Sequence, residues 1–340
     1  MDSIVLRVAL VVLALSAPTW AVLSLAVVVG RLRYERRRSG DECREPGPAE
    51  TNRLLRRAGG RPRTEWGKWR QVDALGRLAR IHHPALPGLV RPVLQDSDGR
   101  VSAAAIRVLG EVGDDWAIDV LLDALVRGQG SRSRIAAELE RLAPAPGRRL
   151  LPLLRSSSPA VRFWGATLLA PYPDLGDSSL VELTWDRDPN VRAAAVETLG
   201  TRSGSGLGAA LLARLEDSEW FVRVHAARSV GHVLGADAAP SLVRLLADER
   251  WWVRTAAKDA LRGIGGDAVT SLLGVLTHED AFARNGAAEV LQDIGFVDSL
   301  TLTDPRSSIL ERIYEAGGEN LRAAAEARRA NNPEKAVQAA

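Results

Sequence analysis

Asp186-Arg187-Asp188-Pro189-Asn190-Val191-Arg192-Ala193-Ala194-Ala195-Val196-Glu197-Thr198-Leu199-Gly200 contains the pattern that decides the fold. Val191, Ala195 and Leu199 stand four residues apart. That spacing puts them on one face of an α-helix, and the two-residue alternation of a strand does not produce it. The pattern recurs along the chain. With Val191 as position zero, the equivalents are Val101, Ser131, Val161, Val222, Val253 and Ala283. Position four holds Ala105, Ile135, Gly165, Ala226, Ala257 and Ala287, and position eight holds Leu109, Leu139, Leu169, Val230, Leu261 and Leu291. The steps are 30 or 31 residues, and an arginine follows position zero at Arg132, Arg162, Arg192, Arg223, Arg254 and Arg284. A fixed period of this length marks an array of one repeated unit. A small side chain at position four allows a neighbouring helix to approach closely.

Twenty residues after position zero a second apolar segment appears, centred on Leu121, Leu151, Val181, Leu211, Leu242 and Leu273. Gly113, Gly200, Gly231, Gly265 and Gly266, with Asp114 and Asp237, supply stop and turn residues between the two segments. Each unit therefore reads as a helical hairpin. A hairpin this short cannot bury its apolar stripe alone, so the units must stack into a continuous core. The predicted fold is all-α, an α-solenoid of seven or eight hairpins preceded by one transmembrane helix.

Aspartate precedes the arginine by six residues at Asp186 and Arg192, Asp217 and Arg223, and Asp248 and Arg254, while Asp96 precedes Ser102. The motif of Asp, five residues, Arg, then a small residue and Leu resembles HEAT repeats, in particular the short phycobilisome-lyase type. The resemblance covers Val101 to about Ile294 well, and more weakly Trp69 to Leu94, where Trp69-Arg70 occupies the Val-Arg place. It implies that the three Asp and Arg pairs form a structural ladder between adjacent units. It also implies that the Val-Arg helix lines the concave side. On that reading Arg223→Ala loosens the stack without abolishing a charge-dependent activity.

Val8 to Gly30 is apolar or small apart from Ser16, Thr19 and Ser24. At about 1.5 Å per residue its length matches a bilayer core. Arg31, Arg33, Arg36, Arg37 and Arg38 follow, against Arg7 on the other flank. The positive-inside rule then leaves the carboxyl-terminal bulk in the cytoplasm of a single-pass inner-membrane protein. A cleaved leader ending near Ala14 to Ala17 is the competing reading, and Pro18 and the continuing apolar run disfavour it. A single cysteine, Cys43, cannot make an internal disulfide, in keeping with a reducing compartment. Residues 31–70 carry 13 Lys or Arg and 6 Asp or Glu, a net of +7 in a chain of net +3, so the basic charge is local. A basic stretch beside a membrane helix sets topology and is drawn to anionic lipid.

These features divide the chain into a membrane helix (1–30), a basic juxtamembrane segment and linker (31–65) and a solenoid (66–304). Capping helices (305–330) and a disordered tail (331–340) follow. The dominance of arginine over lysine, with abundant alanine and glycine, points to a high-GC bacterial genome.

No Gly-rich phosphate loop, nucleophile elbow or metal-ligand cluster is present, and the five histidines do not converge. His82 and His83 are adjacent in a turn, and His225 and His232 are seven apart on one helix. The helical-repeat di-iron hydroxylases use paired His-Glu dipeptides in several repeats, whereas this chain has one, His278-Glu279. The expectation is therefore no enzyme, no cofactor and no small-molecule substrate, with a bilin-lyase-like or di-iron hydroxylase-like enzyme as the alternative. DNA binding needs a basic track on one face. The aspartates in step with the arginines remove it. Trp220-Phe221 and Trp251-Trp252 occupy the same two positions before adjacent first helices, and Phe163 and Trp164 lie on the matching helix of an earlier unit. Exposed, such a row is a docking patch for another protein, for instance a membrane complex; buried, it is core.

Overall fold

The computed structural model describes residues 46–330 except 63, 97 and 205. The expected membrane span, the cluster from Arg31 to Arg38 and the tail from 331 lie outside those residues. Every regular element among the described residues is helical. None of those helices is long and apolar enough to cross a membrane. The chain divides after His83 into two units.

The first unit contains α1 (Pro48–Ala58) and α2 (Glu65–Arg80), which pack together. Helix α1 lies inside the segment read as linker, which corrects that boundary. Its composition explains the difference: Pro48 opens the helix, Glu50 sits in the first turn, and Arg56 and Arg57 complement the helix dipole in the last. Leu54 and Ala58 are buried. The Gln71 amide donates to the carbonyls of Ala58 and Gly60 at 2.8 and 2.9 Å, satisfying acceptors at the end of α1. Trp69 is exposed, so Trp69-Arg70 is not the equivalent of Val-Arg. The buried positions are Gln71, Leu75 and Ala79, and Gln71 stands 30 residues before Val101.

The second unit opens with α3 (Leu86–Leu94) and continues as seven hairpins among the described residues. Their helices are α4 (Gly99–Val112) with α5 (Asp115–Arg127), then α6 (Arg132–Arg141) with the 3-10 segment Gly147–Arg155. Next come α7 (Pro159–Leu168) with α8 (Asp177–Leu183), and α9 (Pro189–Leu199) with α10 (Leu207–Ala213). Helix α11 (Trp220–Leu234) pairs with α12 (Ala239–Leu242) and its 3-10 extension Val243–Ala247. The last pairs are α13 (Trp251–Ile264) with α14 (Val269–Val275), and α15 (Ala281–Asp293) with α16 (Phe296–Thr303). Helix α17 (Ser308–Ala330), kinked at Gly318, lays Leu310, Ile313 and Tyr314 against the last hairpin.

Local chemistry sets the helix boundaries. Asp188 accepts the N–H of Asn190 and Pro189 occupies the first turn of α9, while Asp114 and Asp280 cap α5 and α15. Gly113 and Gly128 end α4 and α5 in the left-handed region, with φ of 65° and 69°.

Successive first helices, α7, α9, α11, α13 and α15, pack in series. Positions zero, four and eight are buried in every unit except at Ser131, which is exposed. Across these contacts the Thr198 hydroxyl donates to the Ala166 carbonyl and the Ser229 hydroxyl to that of Val196, at 2.9 and 3.0 Å. In the second segments three positions shift by one residue. Leu150, Leu180 and Leu272 are fully buried, whereas Leu151, Val181 and Leu273 are only partly so.

Gly165 tests how tight the position-four contact is. An added Cβ there would lie 2.8 Å from the Leu153 Cβ and 3.3 Å from its backbone carbonyl carbon. Replacing a mid-helix glycine by alanine gains about 1 kcal/mol of helix propensity, whereas forcing volume into a packed contact costs about 1–3 kcal/mol. Gly165→Ala is therefore expected to lower the urea midpoint. Gly274→Ala, whose Cβ meets nothing within 4 Å, should not.

Candidate functional site

The repeating arginine performs two tasks with different nitrogens. Nη1 donates to carbonyls five and six residues back in its own unit: Arg192 to Asp186 at 3.0 Å, Arg223 to Asp217 at 2.8 Å, Arg254 to Asp248 at 2.8 Å. Nε and Nη2 fork onto the carboxylate of the following unit. Arg162 holds Asp186 at 2.7 and 2.8 Å, Arg192 holds Asp217 at 2.8 and 2.7 Å, and Arg223 holds Asp248 at 2.8 and 3.0 Å. The expected pairing is corrected accordingly. Asp186 ion-pairs with Arg162 rather than Arg192, and the same one-unit shift applies to Asp217 and Asp248. From their own units Arg192, Arg223 and Arg254 take the aspartate's backbone carbonyl, and Arg162 takes the carbonyl of Ser156, which stands in the aspartate's place. Each carboxylate also accepts the N–H two residues on, from Asp188, Glu219 or Arg250, which fixes the turn before the next helix.

These pairs are largely buried, with both side chains of each at most 17 % exposed. Burial alone would raise Asp186 and Asp217. The guanidinium hydrogen bonds, the backbone N–H and the nearby positive charges outweigh it and hold both carboxyls below the usual range. The hydrogen-bonded aspartates likewise raise Arg162 and Arg192. Arg202 is different. Its side chain is fully buried against the carbonyls of Leu169 and Tyr172, with Asp177 3.8 Å away, and burial lowers its pKa.

Beside this ladder lies a row of aromatic side chains. Trp220 is 37 % exposed, Trp251 55 % and Trp252 59 %, while Phe221 is half-buried. Within each dipeptide the rings meet edge to face, with centroids 5.9 Å apart in Trp220-Phe221 and 4.6 Å in Trp251-Trp252. Phe163 and Trp164 form a third such pair at 5.1 Å, but both are half-buried on α7. Sequence reading overlooked Phe282, 64 % exposed, which occupies the second position of the same dipeptide in the next unit. The repeat register alone identifies it. Trp185 is also exposed, with the Arg214 guanidinium 3.8 Å over its ring. Among the described residues no group of three or more His, Cys, Asp or Glu is placed to hold a metal.

A family model described as HEAT repeats matches residues 66–140 and 208–292. Over those two segments the chain is similar to HEAT repeats. No curated protein matches the sequence. Among solved structures, the chain is similar to an engineered protein at 21 % identity, with a TM-score of 0.41, over 78 % of this chain and 87 % of that one. It is also similar to human deoxyhypusine hydroxylase in complex with glycerol at 17 % identity, with a TM-score of 0.31, over 73 % and 96 %.

Two outcomes follow from the ladder. Arg223→Ala leaves the Asp248 carboxylate buried without its fork and should cost about 3 kcal/mol. A double-mutant cycle with Asp248→Ala should return a large part of that loss as coupling. Because folded Asp186 and Asp217 have depressed pKa values, their stabilisation is present above the unfolded value of about 4 and is lost as pH falls through the folded values. Urea midpoints measured across that range should fall more steeply for the native chain than for Asp217→Asn.

Proposed function

We propose that this chain is a HEAT-repeat scaffold that binds another protein along the edge formed by Trp220, Phe221, Trp251 and Trp252, with Phe163 and Trp164 at its margin. The observation that carries the reading is the exposure of large aromatic rings at one equivalent position in consecutive units. Tryptophan supplies large contact area with few rotatable bonds, and it is enriched at interface hot spots. The forks of the ladder arginines Arg162, Arg192 and Arg223 are occupied by aspartate, so these three form no free basic stripe for nucleic acid.

The apolar segment from Val8 to Gly30 tethers the scaffold to the inner membrane with the repeats on the cytoplasmic side. The cluster from Arg31 to Arg38 lies against anionic lipid. Sequence supports this part of the reading through the length of the apolar run and the arginine asymmetry across it.

Affinity purification of tagged full-length protein from membranes tests both parts. The native chain is expected to recover a discrete partner that a quadruple alanine variant at Trp220, Phe221, Trp251 and Trp252 loses; an unchanged partner list rejects the edge. Under alkaline carbonate extraction the full-length chain should stay in the membrane pellet, and its release would reject the anchor.

A further inference from the structure

The ladder loses its carboxylate at Arg254. Arg162, Arg192 and Arg223 each fork onto the aspartate five residues before position zero of the next unit, and for Arg254 that place holds His278, followed by the exposed Glu279. The His278 Nδ1 accepts the N–H of Asp280 at 3.0 Å. It therefore closes the turn as an aspartate would, yet offers Arg254 no anion. Arg254 keeps its Nη1 contacts to the carbonyls of Asp248 and Glu249, and its guanidinium lies 4.6 Å from the centre of the Phe282 ring. No carboxylate among the described residues pairs with it.

This guanidinium faces a groove of about 210 Å³ between α13 and α15, walled by Trp251, Arg254, Thr255, Lys258, Phe282 and Glu289. Charge and size specify the occupant. Glu289 pairs with Lys258 at 2.7 Å and with Arg262 at 2.8 Å, so the two cations lining the groove, Arg254 and Lys258, exceed its one carboxylate, and Arg254 has no ion pair of its own among the described residues. The Thr255 hydroxyl is buried there without a hydrogen-bond partner. The volume falls below the roughly 300–1,000 Å³ usual for small-molecule sites and suits a side chain of a larger ligand.

We propose that the groove seats an acidic side chain of a partner polypeptide. Its carboxylate accepts from Nε and Nη2 of Arg254, reproducing the two-point geometry of the internal links. A flanking apolar residue lies against Trp251 and Phe282. This rests on the scaffold reading and narrows it to one unit and one ligand chemistry.

Calorimetric titration of the full-length protein with acetyl-Phe-Asp-Phe-amide, its Asn analogue and acetate provides the test, using native, Arg254→Gln and His278→Asp chains. The Asp peptide should bind saturably, the Asn analogue about tenfold more weakly or less, and both variants should lose binding. In His278→Asp the restored carboxylate captures the fork internally, so its unfolding midpoint should also rise, which separates ladder repair from misfolding. Equal binding of the two peptides, undiminished binding by His278→Asp, or acetate binding as tight as the peptide overturns the proposal. So does self-association that Arg254→Gln abolishes, which would assign the groove to a second copy. Partner recovery that depends on Trp220 and Trp252 but not on Arg254 overturns it while leaving the scaffold reading intact. Failure of the native chain to recover any partner overturns the scaffold reading itself.

Discussion

The structure depends on one guanidinium doing two things at once. Nη1 of each ladder arginine ties down the turn that enters its own first helix, and Nε with Nη2 grips the aspartate that shapes the equivalent turn of the next unit. The aspartate in turn accepts a backbone N–H from the turn it belongs to. Consecutive turns are thereby locked by a single planar fork, which lysine, a point charge, cannot imitate. In an array whose units touch only their neighbours, such a link sets the geometry of one interface at a time. Its importance lies in what breaking it exposes. A buried carboxylate left without its partner is far more destabilising than the intact pair is stabilising.

The apolar contacts surround this link and explain its tolerance of variation. At position four Gly165 packs tightly on Leu153 of the preceding second segment, and hydroxyls at Thr198 and Ser229 reach carbonyls on the preceding first helix. At Arg132 the residue 24 ahead, in the aspartate's place, is Ser156, and Nε of the guanidinium donates instead to the Leu125 carbonyl at 3.0 Å. The buried positions Ile135 and Leu139 continue the core there, so the stack proceeds without a complete ion pair.

How much of this was legible in the sequence depends on how many residues voted for each register. Positions zero, four and eight recur seven times, so one exception at Ser131 does not disturb the assignment. In the second segments the pairs Leu150-Leu151, Leu180-Val181 and Leu272-Leu273 are both apolar, and spacing cannot say which member faces inward; one residue of shift turns a helix by about 100°. The ion pairs were misassigned for a related reason. An aspartate that recurs with the repeat stands six residues before one arginine and 24 or 25 after another, and periodicity treats the two equally. Only three-dimensional stacking separates them. Trp69 misled because tryptophan followed by arginine mimics the motif, whereas the polar Gln71 that is buried gains its place through hydrogen bonds no pattern reveals.

The aromatic edge and the end of the ladder coincide, and the coincidence has a physical logic. A repeat array spends most of its side chains holding neighbours together, so recognition is confined to positions that stacking does not use. The dipeptide that opens each first helix is one such position, and it carries Trp220-Phe221, Trp251-Trp252 and then Phe282 in consecutive units. The fork of the arginine becomes a second such position only where its aspartate is missing. His278 creates that condition without undoing the turn, because its ring nitrogen still accepts the Asp280 N–H. One substitution thus separates the two roles of the aspartate, keeping the local hydrogen bond and surrendering the charge. Arg254 is left beside Trp251 and Phe282, where charge and apolar surface face the same groove.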